Sequence, residues 1–366
     1  MLEHWVWLSE ALYPGGQAEN EWINYFDSAE EVFGAAKDEI SEIEGIMRSE
    51  LDALCHKKLK RAEEIVKYCA ANEIEIITYK SEKYPQVLKN IYAPPAVIYK
   101  RGSIQDFNGI PMFTIVGTRK STKEGERTAF EFACRLSDAG CTVVSGMADG
   151  IDAAANRGAI AGKTPTVAVL GCGVDVVYPA GNAQLMENII KNGAVISEFP
   201  PGAKARGHHF PIRNRIMAAL GMGVLVVEAP EKSGALITAN LAAEDGKDVF
   251  AVPGSIYNSN YAGSNNLIKS GCIPVTEVED IVPYLPVHFE QPERVQRQDI
   301  DERLGGISEP MSRRIAELLF YNRELHIDEI ARMMNINETQ LLPSLMMLEV
   351  DGVIRKDGGN SYVFVE

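Results

Sequence analysis

The chain has 366 residues, 46% of them hydrophobic, and its 36 basic and 51 acidic side chains give a formal net charge of −15. This length suits two or three domains, and the overall negative charge would repel nucleic acid at long range. No apolar run approaches the roughly 20 residues that span a bilayer. The N-terminal stretch "MLEHWVWLSEALYPGG" has no basic residues and is not typical of a signal peptide. We therefore expect a soluble protein with no membrane contact.

Six cysteines are scattered along the chain without a Cys-x-x-Cys pair. They predict small buried side chains in a reducing cytosol, with neither a disulfide framework nor a zinc site. His208 and His209 are adjacent, and no correctly spaced third ligand accompanies them. The sequence therefore predicts no metal and no cofactor.

Residues 1–80 show apolar side chains three and four positions apart, as in Trp5, Leu8 and Leu12. This spacing is typical of amphipathic helices. Short helices joined by turns such as "YPGG" predict a compact helical module. The segment carries 8 basic and 17 acidic residues, so it holds most of the excess negative charge.

Residues 81–283 carry 19 basic and 19 acidic side chains, and their pattern alternates between strand and helix. Near-continuous apolar strands that alternate with helices predict an α/β fold with a doubly wound, mostly parallel sheet of the Rossmann-like kind. Ligands in such folds bind beyond the carboxyl ends of the strands. The predicted strands are "PMFTIVGT", "CTVVSG", "PTVAVLG", "GAVISE", "MGVLVVEA" and "KDVFAVPG".

Residues 284–308 are polar and predict a linker. Residues 309–366 follow the order helix, helix, helix, strand, strand, which predicts a winged helix with "KDGGN" as the wing turn. The third predicted helix of this tail, "NETQLLPSLMMLEVDG", contains no Lys or Arg, and the tail has a net charge of −4. We therefore expect that it does not read duplex DNA.

The stretch "HHFPIRNRIMAALG" places Arg213 and Arg215 at the start of a predicted helix, where the helix dipole favours an anion. No Asp or Glu occurs between residues 199 and 227, so the expected partner of these cations is an anionic ligand. Residues 112–123 also lack acids and carry Arg119, Lys120 and Lys123. The two stretches form either one electropositive face or two unrelated solvated loops.

The first predicted strand of the sheet ends in "VGTRKST", which lacks the glycine fingerprint of a dinucleotide-binding domain. The glycine turn followed by Arg119 instead suggests backbone N–H groups that hold a phosphate beside a cation. "SGALITAN" offers a second such helix start, with Ser233 and Gly234 at the turn. Glycines at strand ends also serve simply to turn the chain, and that alternative stays open.

Taken in order, the motifs from Tyr84 to about Gly271 resemble the DNA-processing protein A family: "YPQVLKNIYAPPAVIYKRG", "IVGTRKST", "VVSGMADGIDAAANRGAI", "VAVLGCGVDVVYPAGN", "ISEFPPGAK", "FPIRNRIMAAL", "VVEAPEKSGALITANLAAEDGKDVFAVPGS" and "GSNNLIKSG". The resemblance implies a cytoplasmic single-stranded DNA-binding protein that protects incoming DNA in natural transformation and helps to load a RecA-type recombinase. It also implies a homodimer formed through the Rossmann-like domain, an N-terminal module like a sterile alpha motif or a helix-hairpin-helix, and a C-terminal winged helix.

The resemblance further implies a DNA-binding site in which cations hold the phosphate backbone and Phe210, with His209, offers aromatic surfaces for bases. Carried over position by position, the site comprises Gly117, Thr118, Arg119, Lys120, Ser145, Gly146, Lys204, Phe210, Arg213, Asn214, Arg215, Ser233, Gly234 and Thr238.

This chain departs from the family pattern at Asn156, where a histidine is usual, and at Asp149. The competing hypothesis is an enzyme that binds nucleotides or cleaves nucleoside monophosphates on the same fold. Glu198 and Glu228, at strand ends, are its candidate acids. The helix after "SGALITAN" has no carboxylate until Glu244, so we expect a non-enzymatic DNA-binding protein.

Overall fold

The computed structural model describes residues 2–285, 307, 309–322, 324–334, 336–357 and 359–365. It divides into two compact units, residues 1–289 and 290–366. Most of the predicted linker, 284–308, lies outside the described residues. Within the described ranges, no helix combines the length and the apolar character needed to cross a membrane.

The first unit begins with short helices that pack around tryptophans. Trp5 and Trp22 are buried, and their ring centroids lie 5.8 Å apart in an edge-to-face arrangement, which is a favourable geometry for aromatic pairs. Ser28 begins α3 by accepting a hydrogen bond from Glu31 N at 3.2 Å, the usual role of an N-cap serine. The helices are α1 (Leu2–Ala11), α2 (Gln17–Tyr25), α3 (Ala29–Gly34), α4 (Lys37–Ser41), α5 (Arg48–His56) and α6 (Lys60–Ala71).

A nine-stranded sheet forms the centre of the unit, with the strand order β1-β2-β6-β5-β4-β3-β7-β8-β9. All pairs from β6 to β9 in that order are parallel, whereas β2 is antiparallel to both β1 and β6. The strands are β1 (Glu75–Thr78), β2 (Val97–Gly102), β3 (Met112–Val116), β4 (Thr142–Ser145), β5 (Thr166–Val169), β6 (Gly193–Ser197), β7 (Gly223–Val226), β8 (Asp248–Ala251) and β9 (Ile273–Pro274).

Helices cover both faces of the parallel part of the sheet, which confirms the predicted α/β arrangement with a mostly parallel sheet. Phe113 and Ile115 of β3 pack on one face with α7 and α8, whereas Met112 and Val116 pack on the other with α10 and α11. Strands buried on both faces explain the continuous apolar runs of the sequence. The helices are α7 (Lys123–Asp138), α8 (Ile151–Ala161), α9 (Ala183–Asn192), α10 (His209–Leu220), α11 (Gly234–Glu244) and α12 (Ala262–Lys269).

The sheet also contains three strands, β1, β2 and β9, that the sequence did not predict. β1 lies inside the segment predicted to be helical, and it pairs with β2 from Glu75 opposite Lys100 to Thr78 opposite Val97. All six strands predicted between residues 109 and 283 are present as β3 to β8. The sheet is therefore wider than expected, and its extra antiparallel edge continues directly from the N-terminal helices.

The second unit contains three helices and a small antiparallel sheet of order β10-β12-β11. The elements are α13 (Pro310–Asn322), β10 (Glu324–His326), α14 (Ile327–Met334), α15 (Glu338–Val350), β11 (Ile354–Asp357) and β12 (Ser361–Phe364). Ile315, Leu319, Leu341 and Leu345 are buried in its core. The three predicted helices and two predicted strands are present, and β10 is an additional strand between the first two helices.

Arg215 of α10 is buried between two carboxylates. Its Nη2 atom lies 3.1 Å from Glu19 Oε2 in α2 and 2.5 Å from Glu198 Oε2 after β6. Glu19 also accepts a hydrogen bond from Gly15 N at 2.6 Å. This cluster joins the N-terminal helices to the sheet and to α10 through ionisable groups that are all removed from water.

The expectation that an external anion pairs with Arg215 is therefore wrong. Glu19 is 196 positions away in sequence, so the acid-free stretch around the arginine gave no indication of this partner. Arg213 and Arg215 are two residues apart on a helix and point in directions about 200° apart. One ligand at the helix start would therefore not contact both side chains.

We predict that Glu19→Gln makes the protein less sensitive to alkaline pH. Burial raises the pKa values of Glu19 and Glu198, against the opposing attraction of Arg215. The folded state then binds a proton more tightly than the unfolded chain, so stability falls as pH rises above the ordinary carboxyl pKa of about 4.3. Glutamine mimics the protonated acid. In urea titrations from acidic to mildly alkaline pH, the wild type should lose on the order of 1–3 kcal/mol more unfolding free energy than the variant.

Glu42→Gln is the matched control, because Glu42 is exposed at the end of α4. The unfolding free energy of this variant should change with pH as that of the wild type does. If the unfolding free energies of the wild type and of Glu19→Gln change equally with pH, this account of the cluster is contradicted.

Candidate nucleic-acid interface

A cavity of about 350 Å³ lies at the carboxyl edge of the parallel strands. Its walls come from the end of β3, from α10, and from the turn between β7 and α11. β3 and β7 are neighbours where the strand order reverses, which is the usual ligand position in such sheets. The predicted residues that line it are Gly117, Thr118, Arg119, Phe210, Arg213, Asn214, Ser233, Gly234 and Thr238.

The turn after β3 is held in place by Glu228, which is fully buried. Thr118 N donates to the Glu228 backbone oxygen at 2.7 Å, and Thr122 donates to the Glu228 carboxylate from its backbone N, at 2.9 Å, and from its hydroxyl. A Cβ atom at Gly117 would lie 2.5 Å from the Ile151 side chain, so this position accepts only glycine. The backbone of the turn is thus fixed before any ligand binds.

Arg119 is exposed, and its guanidinium lies over the Phe210 ring at 4.5 Å from the centroid. The Tyr178 ring packs against Phe210, and the two ring centroids are 5.4 Å apart. Cation–π contacts of this kind orient an arginine without neutralising its charge. The cavity rim therefore presents a positive charge and aromatic surface side by side.

Arg213 is buried, and its Nη1 atom donates to Gly146 O at 3.0 Å and to Val169 O. These carbonyls lie at the ends of β4 and β5, so the arginine joins α10 to the carboxyl edge of the sheet. A Cβ atom at Gly146 would lie 2.4 Å from Arg213 Nη1. Burial lowers the pKa of Arg213 to about 10, which still leaves it charged at neutral pH.

The first turn of α11 forms the opposite wall. Ser233 accepts a hydrogen bond from Ala235 N at 3.3 Å, and Asn214 donates to Gly234 O at 3.1 Å, which joins α10 to α11. Thr238 Oγ1 is buried and has no hydrogen-bond partner within the described part of the chain. An unpaired hydroxyl that lines a cavity at a helix N-terminus is available to an anionic ligand.

Five predicted residues lie outside the cavity lining: Lys120, Ser145, Gly146, Lys204 and Arg215. Ser145 is buried and its hydroxyl donates to Ile115 O at 2.7 Å, so it stabilises the pairing of β4 with β3. Lys120 and Lys204 are exposed. The His209 ring is stacked on Phe199 at 4.0 Å and its Nδ1 lies 3.0 Å from Gly171 O, so His209 does not share the position of Phe210.

Among the charged and aromatic side chains of this region, Asp152, Tyr178 and Lys232 were not predicted from the sequence. Asp152 lines the cavity, and burial raises its pKa to about 6 although Arg213 and the Gly117 and Ala148 backbone N–H groups favour its charged form. An acid within the alanine-rich helix start "GIDAAAN" was the available signal. Lys232 also lines the cavity. It was not selected from the sequence because Glu231 directly precedes it, so it does not lie in an acid-free stretch.

The two candidate acids of the enzyme hypothesis both have structural partners, since Glu198 pairs with Arg215 and Glu228 binds the turn after β3. Asn156, at the position of the usual histidine, is buried and donates to Thr166 Oγ1 at 3.0 Å. No cluster of potential metal ligands occurs among the residues that the structure describes.

The chain is similar to proteins from several bacteria. The DNA processing protein DprA of Bacillus subtilis is 39% identical over 213 residues, which is 58% of this chain and 72% of the relative. The X-ray structure of DNA processing protein A from Streptococcus pneumoniae superposes with a TM-score of 0.67 at 30% identity, covering 79% of this chain and 99% of that one.

The DNA processing protein A of Helicobacter pylori, whose structure was described for its single-stranded DNA binding mode, gives a TM-score of 0.53 at 26% identity over 58% of this chain and 94% of that one. The sequence model of the family described as DNA recombination-mediator protein A matches residues 75–286. This range includes the whole parallel sheet and every residue of the cavity. The chain therefore belongs to the DNA recombination-mediator protein A family.

Proposed function

We propose that the protein binds single-stranded DNA in the cavity and across its rim, and that it protects incoming DNA during natural transformation. The observation that carries this proposal is the pairing of Arg119 with Phe210 beside a fixed glycine turn and a helix N-terminus. Single strands are bound without sequence preference by a positive groove combined with aromatic surfaces. The similarity to the Helicobacter pylori protein supports the same ligand.

In this proposal the backbone N–H groups of the turn at Gly117 and of the first turn of α11 hold a phosphate, and Thr238 donates to it. Arg119 and Lys232 supply mobile positive charge at the rim. Arg213 contributes a fixed charge without leaving its two carbonyl partners. A base stacks on the surface formed by Arg119, Phe210 and Tyr178.

We infer that the protein is cytoplasmic, that it is not an enzyme, that it forms a homodimer through the Rossmann-like domain and that it helps to load a RecA-type recombinase. The N-terminal helices would then act as a module like a sterile alpha motif or a helix-hairpin-helix. The C-terminal unit would act as a winged helix that does not read duplex DNA, because α15 contains no Lys or Arg.

Arg119→Ala should weaken binding of single-stranded DNA and flatten its salt dependence, because one phosphate contact is lost. Each such contact contributes about 0.7 to the slope of log affinity against log salt concentration. Fluorescence anisotropy with a labelled oligothymidylate at several salt concentrations measures both quantities, and a duplex of equal length tests the preference for single strands. The matched control is Arg127→Ala, because Arg127 is exposed on α7 and pairs with Glu131. If the salt-dependence slope of Arg119→Ala equals that of the wild type, this site is ruled out.

Phe210→Ala should lower the affinity by about 1–3 kcal/mol with little change in the salt slope, because stacking releases no counterions. Phe210 and Arg119 are in contact, so the double variant should lose less than the sum of the two single losses. The same anisotropy titrations give the double-mutant cycle. Strictly additive losses would mean that the two side chains act independently.

Asp152→Asn should remove part of the pH dependence of DNA binding. The carboxylate has a pKa of about 6 in the free protein, and a phosphate nearby would disfavour its charged form. Binding is then linked to proton uptake, so wild-type affinity should rise as pH falls toward about 6 and level off below it, and the variant should show a flatter profile. His208 and His209 remain in both proteins, so the difference between the two profiles isolates Asp152.

A buried acid with a raised pKa is also typical of catalytic sites. Release of free base from nucleoside monophosphates by the wild type, abolished in Asp152→Asn, would contradict the non-enzymatic proposal and make Asp152 a general acid.

A further inference from the structure

The loop between β8 and α12 exposes two large apolar side chains, Ile256 and Tyr257. They are 83% and 94% accessible to solvent. The loop holds itself in this shape, since Ser255 Oγ accepts from Tyr257 N at 3.3 Å and Asn258 Oδ1 accepts from Asn260 N at 3.0 Å. Two adjacent large apolar side chains that both remain in water form a candidate binding surface.

The loop is attached to the rim of the cavity at two points. Asn260 Nδ2 donates to Lys120 O at 2.8 Å, and Lys120 directly follows Arg119. Gly263 N donates to Ala229 O at 2.7 Å, and Ala229 directly precedes Pro230 of the cavity lining. The Asn260 bond thus joins the loop that carries the exposed pair to the turn after β3, and the Gly263 bond joins the start of α12 to the segment before α11.

The charge of this region fits a polyanion. Residues 249–276, which include this loop, contain no Asp or Glu. Lys120 is exposed next to the loop. An exposed aromatic ring on a loop that is hydrogen-bonded to the backbone of an exposed lysine combines the two features that bind single strands.

The cavity itself is small. Its volume of about 350 Å³ is at the lower end of the range for small-ligand sites. A strand longer than the part held inside has to continue over the rim. The path over Lys120 leads to the loop that carries Tyr257.

We propose that Tyr257, with Ile256 beside it, is a second base-stacking site for single-stranded DNA that leaves the cavity across Lys120. This inference rests on the proposed function. Tyr257 contacts only the part of the strand outside the cavity, so its contribution depends on the length of the DNA.

The test compares labelled oligothymidylates of about 4 and about 16 nucleotides in anisotropy titrations with the full chain. Tyr257→Ala should bind the longer oligonucleotide roughly 5- to 150-fold more weakly, with an unchanged salt slope and unchanged affinity for the shorter one. Tyr257→Phe should behave as the wild type. Tyr25→Ala is the matched control, because Tyr25 is an exposed tyrosine in an acid-rich helical segment.

Tyr257→Trp adds a direct readout, because a stacked base quenches tryptophan emission. The wild type already emits from Trp5, Trp7 and Trp22, which are buried. The longer oligonucleotide should quench the additional emission that the tryptophan introduced at position 257 contributes. If Tyr257→Ala binds the longer oligonucleotide as tightly as the wild type does, while Arg119→Ala binds it more weakly, the second site is overturned and the cavity site is retained. Absence of binding in the wild type would overturn the proposed function itself. A change from dimer to monomer in Tyr257→Ala, measured by sedimentation, would identify the loop as a contact between copies and overturn the stacking role.

Discussion

The guanidinium of Arg215 stays charged inside the protein, and the arrangement around the cavity depends on how that charge is compensated. Removing an arginine from water costs several kcal/mol unless carboxylates and hydrogen bonds replace the solvent. Glu19 and Glu198 supply these carboxylates from two separate segments, and both bind the Nη2 atom of Arg215. The cluster fixes α10 against the sheet and against α2 at the same time. Because α10 also carries Phe210 and Arg213, the position of one cavity wall follows from a buried ion cluster that does not itself touch the cavity.

The cations near the cavity differ in how they are held. Arg213 is bound to two backbone carbonyls and cannot move without breaking hydrogen bonds between α10 and the strand ends. Arg119 rests on an aromatic ring and is exposed, so it can turn toward a ligand at small cost. A fixed charge supports a constant electrostatic field, whereas a mobile one adapts to a flexible polymer. A surface that binds strands of any sequence needs both properties.

The sequence predicted the parts of the fold that depend on local pattern. The six inner strands are continuous apolar runs because helices cover both faces, and these runs were sufficient to predict them. β9 has only two residues, which is too short for a periodic signal. β1 and β2 were missed for another reason, since their sequences EIIT and VIYKRG contain charged residues and are not continuous apolar runs. The glycine turn, Arg119, Phe210 and the start of α11 were predicted as one site from the resemblance and from charge, and the structure brings them together around one cavity.

The parts that the sequence did not predict depend on distance in three dimensions. The partner of Arg215 lies in the first helices of the chain, and no local pattern connects the two segments. Asp152 is a single acid in an apolar helix start, and its importance comes only from burial beside Arg213. Tyr257 has an ordinary sequence environment, and only its exposure distinguishes it. Charge pattern identified which segments carry cations, whereas tertiary packing determined which of those cations remain accessible.

The edge strand β9 of the large sheet has a consequence for how copies of this protein can associate. Val275 N donates to Ala251 O, so the backbone N–H of the preceding residue would point away from β8 toward the open edge of the sheet. That residue is Pro274, which has no N–H to donate. A short edge strand that ends in proline is a known protection against edge-to-edge pairing. Two copies meeting at this side would therefore join through side chains, and their sheets would remain separate instead of merging into one continuous ribbon.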